Sequence, residues 1–452
     1  MTCGNITYYI LIITSFILSS CKPNLDIPEP SAGEADFTRT IAIGGNYLAG
    51  YSDGALYEKG QKNSIPSLIA EQLQRVKGSD CPPPKIPDNS GLGLNSKPWE
   101  SPFVSRSVLG YKTDCKGVKS LSPLKELFTQ NNASAYLNRV NYETKNLAVP
   151  FATIKEFFNP ALGNSFFSGN SNPFYYRFAS QPGTSTVFSD AMNIDPTFAM
   201  VWVGMEDIYE YARVGGYGKT ILPAAEFSKY LDSLLKPMAN KGAKGVIANI
   251  PDLKSFPFYT LIPWNKAEIT QGQADTLNDQ YPDDDPIYSS VKFFAGNNGF
   301  VIQDTKTSYY RNMNKYEKIL LTVPLDSMKC FKYGLVLNVI NDRYAMDIYE
   351  VDSVNRAIID YNNIIASKAV QYGFAFVDMN KFFKSVNAGI RMDGIDFNAS
   401  FVSGGFFGLD GYHPNQKGYA MIANEFIKAI NNKYKAVIPT VYCSDCEGVL
   451  FP

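Results

Sequence analysis

Five short apolar runs punctuate the chain, at residues 41–44, 147–149, 198–204, 245–250 and 374–379. Each is continuous rather than alternating, which is how strands read when helices cover both faces of their sheet. Between the runs lie stretches with helical spacing. Val354, Ile358, Tyr361 and Ile365 step by four, three and four residues, and Tyr419, Ile422, Phe426 and Ile430 form a second stripe. Such stripes are apolar faces suited to packing on a sheet, and Pro414 stands where the first turn of the second helix is expected. The alternation predicts an α/β fold, a three-layer α/β/α sandwich with a central parallel sheet and ligands at the carboxyl ends of the strands. Two long stretches break the alternation, about 78–121 (rich in Gly, Pro, Ser and Lys) and about 253–350 (aromatic, with PDDDP at 282–286). Both read as insertions over the sheet. The Asp283–Asp285 run lacks calcium-loop spacing and reads as a solvated turn. The domain is expected to span residues 37–440, followed by a tail at 441–452.

The N-terminus changes the picture. Residues 8–18, YYILIITSFIL, are apolar but too short to span a bilayer, and residues 1–20 read as a signal peptide. Leu18-Ser19-Ser20-Cys21 resembles a bacterial lipobox, although MTCGNIT before it carries no Lys or Arg. Cys21 is therefore the expected lipid-attachment site, and residues 21–36, Pro-rich and acidic, a tether. Hydrophobic content of 45% and charged content of 19% are those of an ordinary globular protein. A net charge of −1 offers no field for a polyanion, so nucleic acid is not an expected partner. The 29 Tyr and 30 Phe suit a surface that makes contacts.

Seven cysteines are present. With Cys3 in the leader and Cys21 lipidated, five remain. In an oxidising compartment Cys81–Cys115 is a plausible bridge across the first insertion, and Cys443-Ser-Asp-Cys446 a small terminal disulfide loop. The odd count leaves one thiol over.

Candidate chemistry begins at GYSDG, residues 50–54, which fits the G-x-S-x-G of a serine nucleophile elbow. The elbow serine must sit on the turn directly after a strand. Ser52 lies eight residues beyond Gly44, and the residue at the turn is Asn46. Ser52 is read as a solvated loop serine.

Several blocks resemble one family. GLDGYHPNQKGYAMIANEFIKAIN, residues 408–431, looks like the last block of the SGNH (GDSL-type) hydrolases, with Asp410 and His413 at the Asp-x-x-His positions. IAIGGNYLAGYSDGALY (41–57), NLAVPFA (146–152) and VWVGMEDIY (201–209) resemble the first three blocks, as found in Bacteroidota outer-membrane lipoproteins of this family. GAKGVIANIPD and GFAFVDMNKFF resemble the same branch. The resemblance implies an SGNH fold and, residue by residue, a dismantled site. Asn46 stands where the serine nucleophile belongs, Phe151 where a glycine lends its N–H to the oxyanion, and Glu206 where an asparagine donates. A carboxamide cannot be deprotonated to form an acyl intermediate. Losing the nucleophile costs about 10⁶ in turnover, and each oxyanion donor about 10²–10³. An ionised Glu206 is expected to repel the oxyanion.

These readings predict a non-catalytic lipoprotein: a binding or scaffold subunit at the outer membrane, at the cell surface, associated with a β-barrel protein or another membrane-complex subunit. Lys22, Asp26 and Glu29 weakly resemble surface-export signals of that phylum. A glycan or lipid ligand in the old cleft is a further expectation; no cofactor or metal is expected. The alternative is a residual esterase or deacetylase that uses His413, oriented by Asp410, as a general base.

Overall fold

Four of the apolar runs form one parallel sheet: β1 (Thr40–Gly44), β2 (Phe198–Trp202), β3 (Lys244–Ala248) and β4 (Ala375–Val377) lie side by side in that order. The register sets Ile41 against Ala199, Met200 against Val246, and Phe376 against Ile247. The structure, a computed structural model, describes residues 29–94, 103–127, 136–165, 171–282 and 284–452. The leader, Cys21, Lys22, Asp26 and Asp283 lie outside the described residues. Residues 146–149 run beside β1, with Leu147 N–H donating to the Ala42 carbonyl and Val149 N–H to the Gly44 carbonyl, both at 2.8 Å. The second segment of the chain thus lies outside the first, and the third on its other side. That reversal opens a crevice at the carboxyl end of β1.

Every residue of β1 and β2 is buried, because helices cover both faces. The helices α2 (Met205–Ala212), α3 (Ala224–Asn240) and α4 (Ile348–Tyr372) pack together on one side. On the other side α1 (Ile65–Leu73) packs against α6 (Gln416–Tyr434), while α5 (Met379–Ala388) follows β4. The helix expected around residues 354–365 is α4. Asp347 and Glu350 form its capping box, and Gly373, at φ 71°, ends it in a left-handed turn open to glycine. Val354, Ile358, Tyr361 and Ile365 are all buried, each contributing about 1.5–3 kcal/mol. Tyr361 stacks on Phe227 of α3 at 3.8 Å between ring centroids. The C-terminal stripe is likewise buried in α6. Its N-cap is Asn415, whose side chain accepts from Gly418 N–H, so Pro414 precedes the cap instead of occupying the first turn.

The insertions are partly ordered. The first carries an antiparallel hairpin, Ser107–Thr113 with Lys119–Lys125. The second builds two small apolar cores of its own, one around Phe300, Ile302 and Met313, the other around Leu277, Tyr281 and Phe293. Asp285 caps an exposed turn by accepting from Ile287 N–H. Among the described residues no helix is long and apolar enough to cross a membrane.

The expected disulfides are not those found. Cys115 is bonded to Cys330, across 215 residues, while Cys81, Cys443 and Cys446 are buried free thiols. The hairpin carries Cys115 away from the sheet to the second insertion, where Lys112–Asp326 (2.8 Å) and Lys329–Asp114 pairs flank the bond. Cys81 stays behind, buried beside Ala42 of β1, so nearness in sequence did not become nearness in space. Burial pushes the Cys443 and Cys446 thiols up to about 12 and about 11, which keeps both protonated and poorly reactive. Replacing Cys115 and Cys330 together by Ser is expected to cost about 2–4 kcal/mol. Limited proteolysis would then cut first within the hairpin or at residues 325–346; an unchanged digestion pattern would show that the clasp constrains nothing.

Candidate functional site

At the end of β1 the chain turns through Gly45 into a helical turn, Asn46–Ala49. Gly45 is required by close approach, because a Cβ there would lie 1.8 Å from the Glu206 carboxyl. Asn46 N–H donates to Glu206 Oε1 at 2.7 Å, and Asn46 Oδ1 accepts from Phe151 N–H at 2.8 Å. Three expected site positions, one from the end of each neighbouring strand segment, therefore meet in a single chain of hydrogen bonds. Phe151 holds φ 65°, the left-handed conformation that glycine adopts freely and a bulky residue rarely does. The backbone pose of the glycine is thus retained, and its N–H still points into the crevice. What changes is the acceptor: the carboxamide oxygen of Asn46 now occupies that N–H.

The other half of the site is a short loop before α6. Asp410 Oδ1 accepts from Tyr412 N–H and His413 N–H, and Oδ2 accepts from Gly54 N–H at 2.8 Å and faces His413 Nδ1 at 2.8 Å. Burial pushes this carboxyl up, but the imidazole charge and these hydrogen bonds outweigh it and hold Asp410 below the ordinary carboxylate range. The loop is fastened by Asp53, whose Oδ1 accepts from Leu409 N–H and whose Oδ2 accepts from the Tyr57 hydroxyl. His413 Nε2, the nitrogen that would receive a nucleophile's proton, is buried without a hydrogen-bond partner. Aromatic rings surround the imidazole: Tyr412 at 4.7 Å, Tyr51 at 4.9 Å and Tyr47 at 5.6 Å. Ser52, the motif serine, is not solvated as expected but fully buried, because its Oγ donates to the Pro414 carbonyl at 2.7 Å and so ties the loop to the segment before α6.

Electrostatics alters one expectation. Burial, aided by the neighbouring carboxyls of Asp207 and Glu210, pushes Glu206 up to about 8; burial also pushes Asp207 up to about 7. At neutral pH Glu206 is mostly an uncharged acid. It closes the oxyanion position by filling it, not by the ionic repulsion expected from the sequence. The N–H groups of Phe151 and Asn46 are both satisfied from within, so a ligand has to displace the Asn46 carboxamide and Glu206 before using them.

Other residues join the site that sequence reasoning missed. Arg213 lies over the Phe151 ring at 5.0 Å and pairs with Glu210 at 2.8 Å. The Phe151 ring in turn meets Tyr51 at 5.1 Å, completing an aromatic plug over His413. In a chain this rich in Tyr and Phe, nothing in the local pattern separates these rings from core residues. Among the described residues no group of three His, Cys, Asp or Glu could hold a metal ion.

A mixed sheet-and-helix sandwich with Asp410 and His413 before its last helix is the frame of an SGNH-type hydrolase. The family model of the GDSL-like lipase/acylhydrolases matches residues 49–426, and the chain belongs to that family. The match begins just after Asn46. No curated protein sequence matches the chain. A solved structure similar to it is the crystal structure of LAE5, an alpha/beta hydrolase enzyme from the metagenome of Lake Arreo, Spain. The two are 10% identical over 88% of this chain and 96% of that one, with a TM-score of 0.36.

The raised carboxyls give stability a definite pH dependence. A folded-state value above the unfolded one means that the fold keeps a proton the unfolded chain has released. That stability is complete below about pH 4 and is lost as pH rises towards about 7 for Asp207 and about 8 for Glu206. Denaturant melts should show the free energy of unfolding falling between pH 5 and pH 8, by up to about 1.4 kcal/mol per unit for each group. Glu206→Gln, which still accepts from Asn46 N–H, should flatten that slope; an unchanged slope would show that Glu206 is ionised throughout.

Proposed function

We propose that this member of the GDSL family is not a hydrolase but a binding or scaffold subunit of the outer membrane. In this reading it is held there by lipid on Cys21, faces the cell surface and associates with a β-barrel protein. The observation that carries the non-catalytic reading is the carboxamide of Asn46 at the tip of β1. The residue that should attack instead plugs one oxyanion donor, and its own N–H is plugged by Glu206. The lipobox-like LSSC supports the anchor. A contact role is supported by the clasped insertions, which expose Tyr111, Leu325 and Phe331 around Cys115 and Cys330.

The alternative, a residual esterase or deacetylase, draws on one observation: the Asp410–His413 pair is intact and Nε2 has no partner, as a base acting on water would require. Short-chain nitrophenyl esters separate the two. The purified protein should turn them over no faster than buffer, and a fluorophosphonate should leave it unlabelled. Turnover that disappears in His413→Ala would reject the non-catalytic reading. Asn46→Ser alone should remain inactive by at least about 10²-fold against an intact enzyme, because Glu206 still blocks the oxyanion position.

For the scaffold, affinity purification from detergent-solubilised membranes should recover a β-barrel protein with this chain, and mass spectrometry of the N-terminal peptide should find acylated Cys21. Recovery of the chain alone, or an unmodified Cys21, would overturn that part of the reading.

A further inference from the structure

We propose that Met392, Cys443 and Cys446 form a binding site for a soft monovalent metal ion, copper(I). Cys443 Sγ and Met392 Sδ meet where the C-terminal tail returns to the body, and Cys446 stands one 3₁₀ turn further on, near enough to act on the Cys443 thiol electrostatically. Met392 ends the first strand of the hairpin Ile390–Met392 with Ile395–Phe397. Cys443 opens the 3₁₀ turn Cys443–Asp445, and Cys446 closes it with an N–H to the Cys443 carbonyl. A 3₁₀ turn repeats every three residues, so side chains at positions i and i+3 eclipse and the two cysteines share a face. The Cys443 thiol donates to Met392 Sδ at 3.3 Å. A proton held between a thiol and a thioether occupies the place a thiophilic cation would take.

The surroundings hold these donors in position. Asn424 of α6 exchanges two hydrogen bonds with Val441, each at 2.8 Å, which pins the tail just before the turn. The same amide nitrogen lies 3.9 Å from Met392 Sδ. Cys443 N–H donates to Asp393 Oδ2 at 2.6 Å, tying the turn to the hairpin. Cys443 is fully buried, and Cys446 reaches the edge, 3.8 Å from Asn63 Oδ1.

The donor set selects the ion. Zinc asks for four N, S or O ligands in a tetrahedron. Among the described residues no third His, Cys, Asp or Glu completes such a group around these two cysteines. Two thiols and a thioether instead suit copper(I), which accepts soft sulfur donors at low coordination number. Binding replaces the two thiol protons, which pass to solvent, by one cation; no electron is transferred and no disulfide is made.

The test is competitive titration of the full-length protein with copper(I) against a chromogenic chelator, in ascorbate, which leaves Cys115–Cys330 intact. Silver(I) serves as a redox-inert probe in parallel. One equivalent should bind with sulfur-to-metal charge-transfer absorption. Cys443→Ser and Cys446→Ser should each weaken binding by roughly a thousandfold, and Met392→Leu, which keeps the volume of the core, by roughly tenfold. Cys81→Ser should change nothing. Thermal melts of each variant establish that it is folded. Absence of stoichiometric binding, wild-type affinity in folded Cys443→Ser, or a Cys443–Cys446 disulfide in the protein as isolated from its own membrane would overturn the proposal. None of these results bears on whether the Asn46 site is catalytic.

Discussion

One carboxamide organises the crevice. Asn46 receives its fold from β1, gives its oxygen to Phe151 N–H and its own N–H to Glu206. Those two bonds tie together the ends of residues 146–149, β1 and β2, which form the reversal point of the sheet. Remove the carboxamide, and the Phe151 N–H loses its partner at a cost of about 1–3 kcal/mol, while Glu206 keeps its bond to the Asn46 backbone N–H. Asn46 therefore holds the crevice closed through its side chain and its backbone together.

Around this centre the family frame is kept with little distortion. Asp410 still accepts from three backbone N–H groups and still faces His413 Nδ1. Phe151 still adopts a glycine's backbone conformation. Such retention is what a frame under packing constraint leaves behind: the loop before α6 is bolted down by Asp53 and by the aromatic rings on the imidazole, whether or not a proton is ever transferred. The Asp410–His413 pair is thus accounted for by packing and hydrogen bonding alone.

Legibility in the sequence followed the range of the interactions. The stripe Val354, Ile358, Tyr361 and Ile365 predicted α4 because helical packing repeats locally, and the continuous apolar runs predicted strands covered on both sides. The family blocks located Asn46, Phe151, Glu206, Asp410 and His413, all of which the fold brings to one end of the sheet. What could not be read was how they pair. Glu206 lies 160 residues from Asn46, and whether it repels or fills depends on burial, which no local pattern reports. The same limit explains the disulfide: Cys81 was nearer to Cys115 in sequence, but the hairpin carries Cys115 to an insertion whose own small cores have no regular periodicity. The short strands of that insertion, two or three residues each, lie below what alternation can reveal.

The clasp between the insertions sets an order of assembly. A chain synthesised from its N-terminus presents Cys115 long before Cys330, 215 residues further on, has emerged. Throughout that interval the hairpin thiol is unmatched, and Cys81 is the neighbour closest at hand. In the folded protein Cys81 is buried beside Ala42 of β1 and stays a free thiol. The bond can close only once residue 330 has been made, by which point β1, β2 and β3 are already part of the chain.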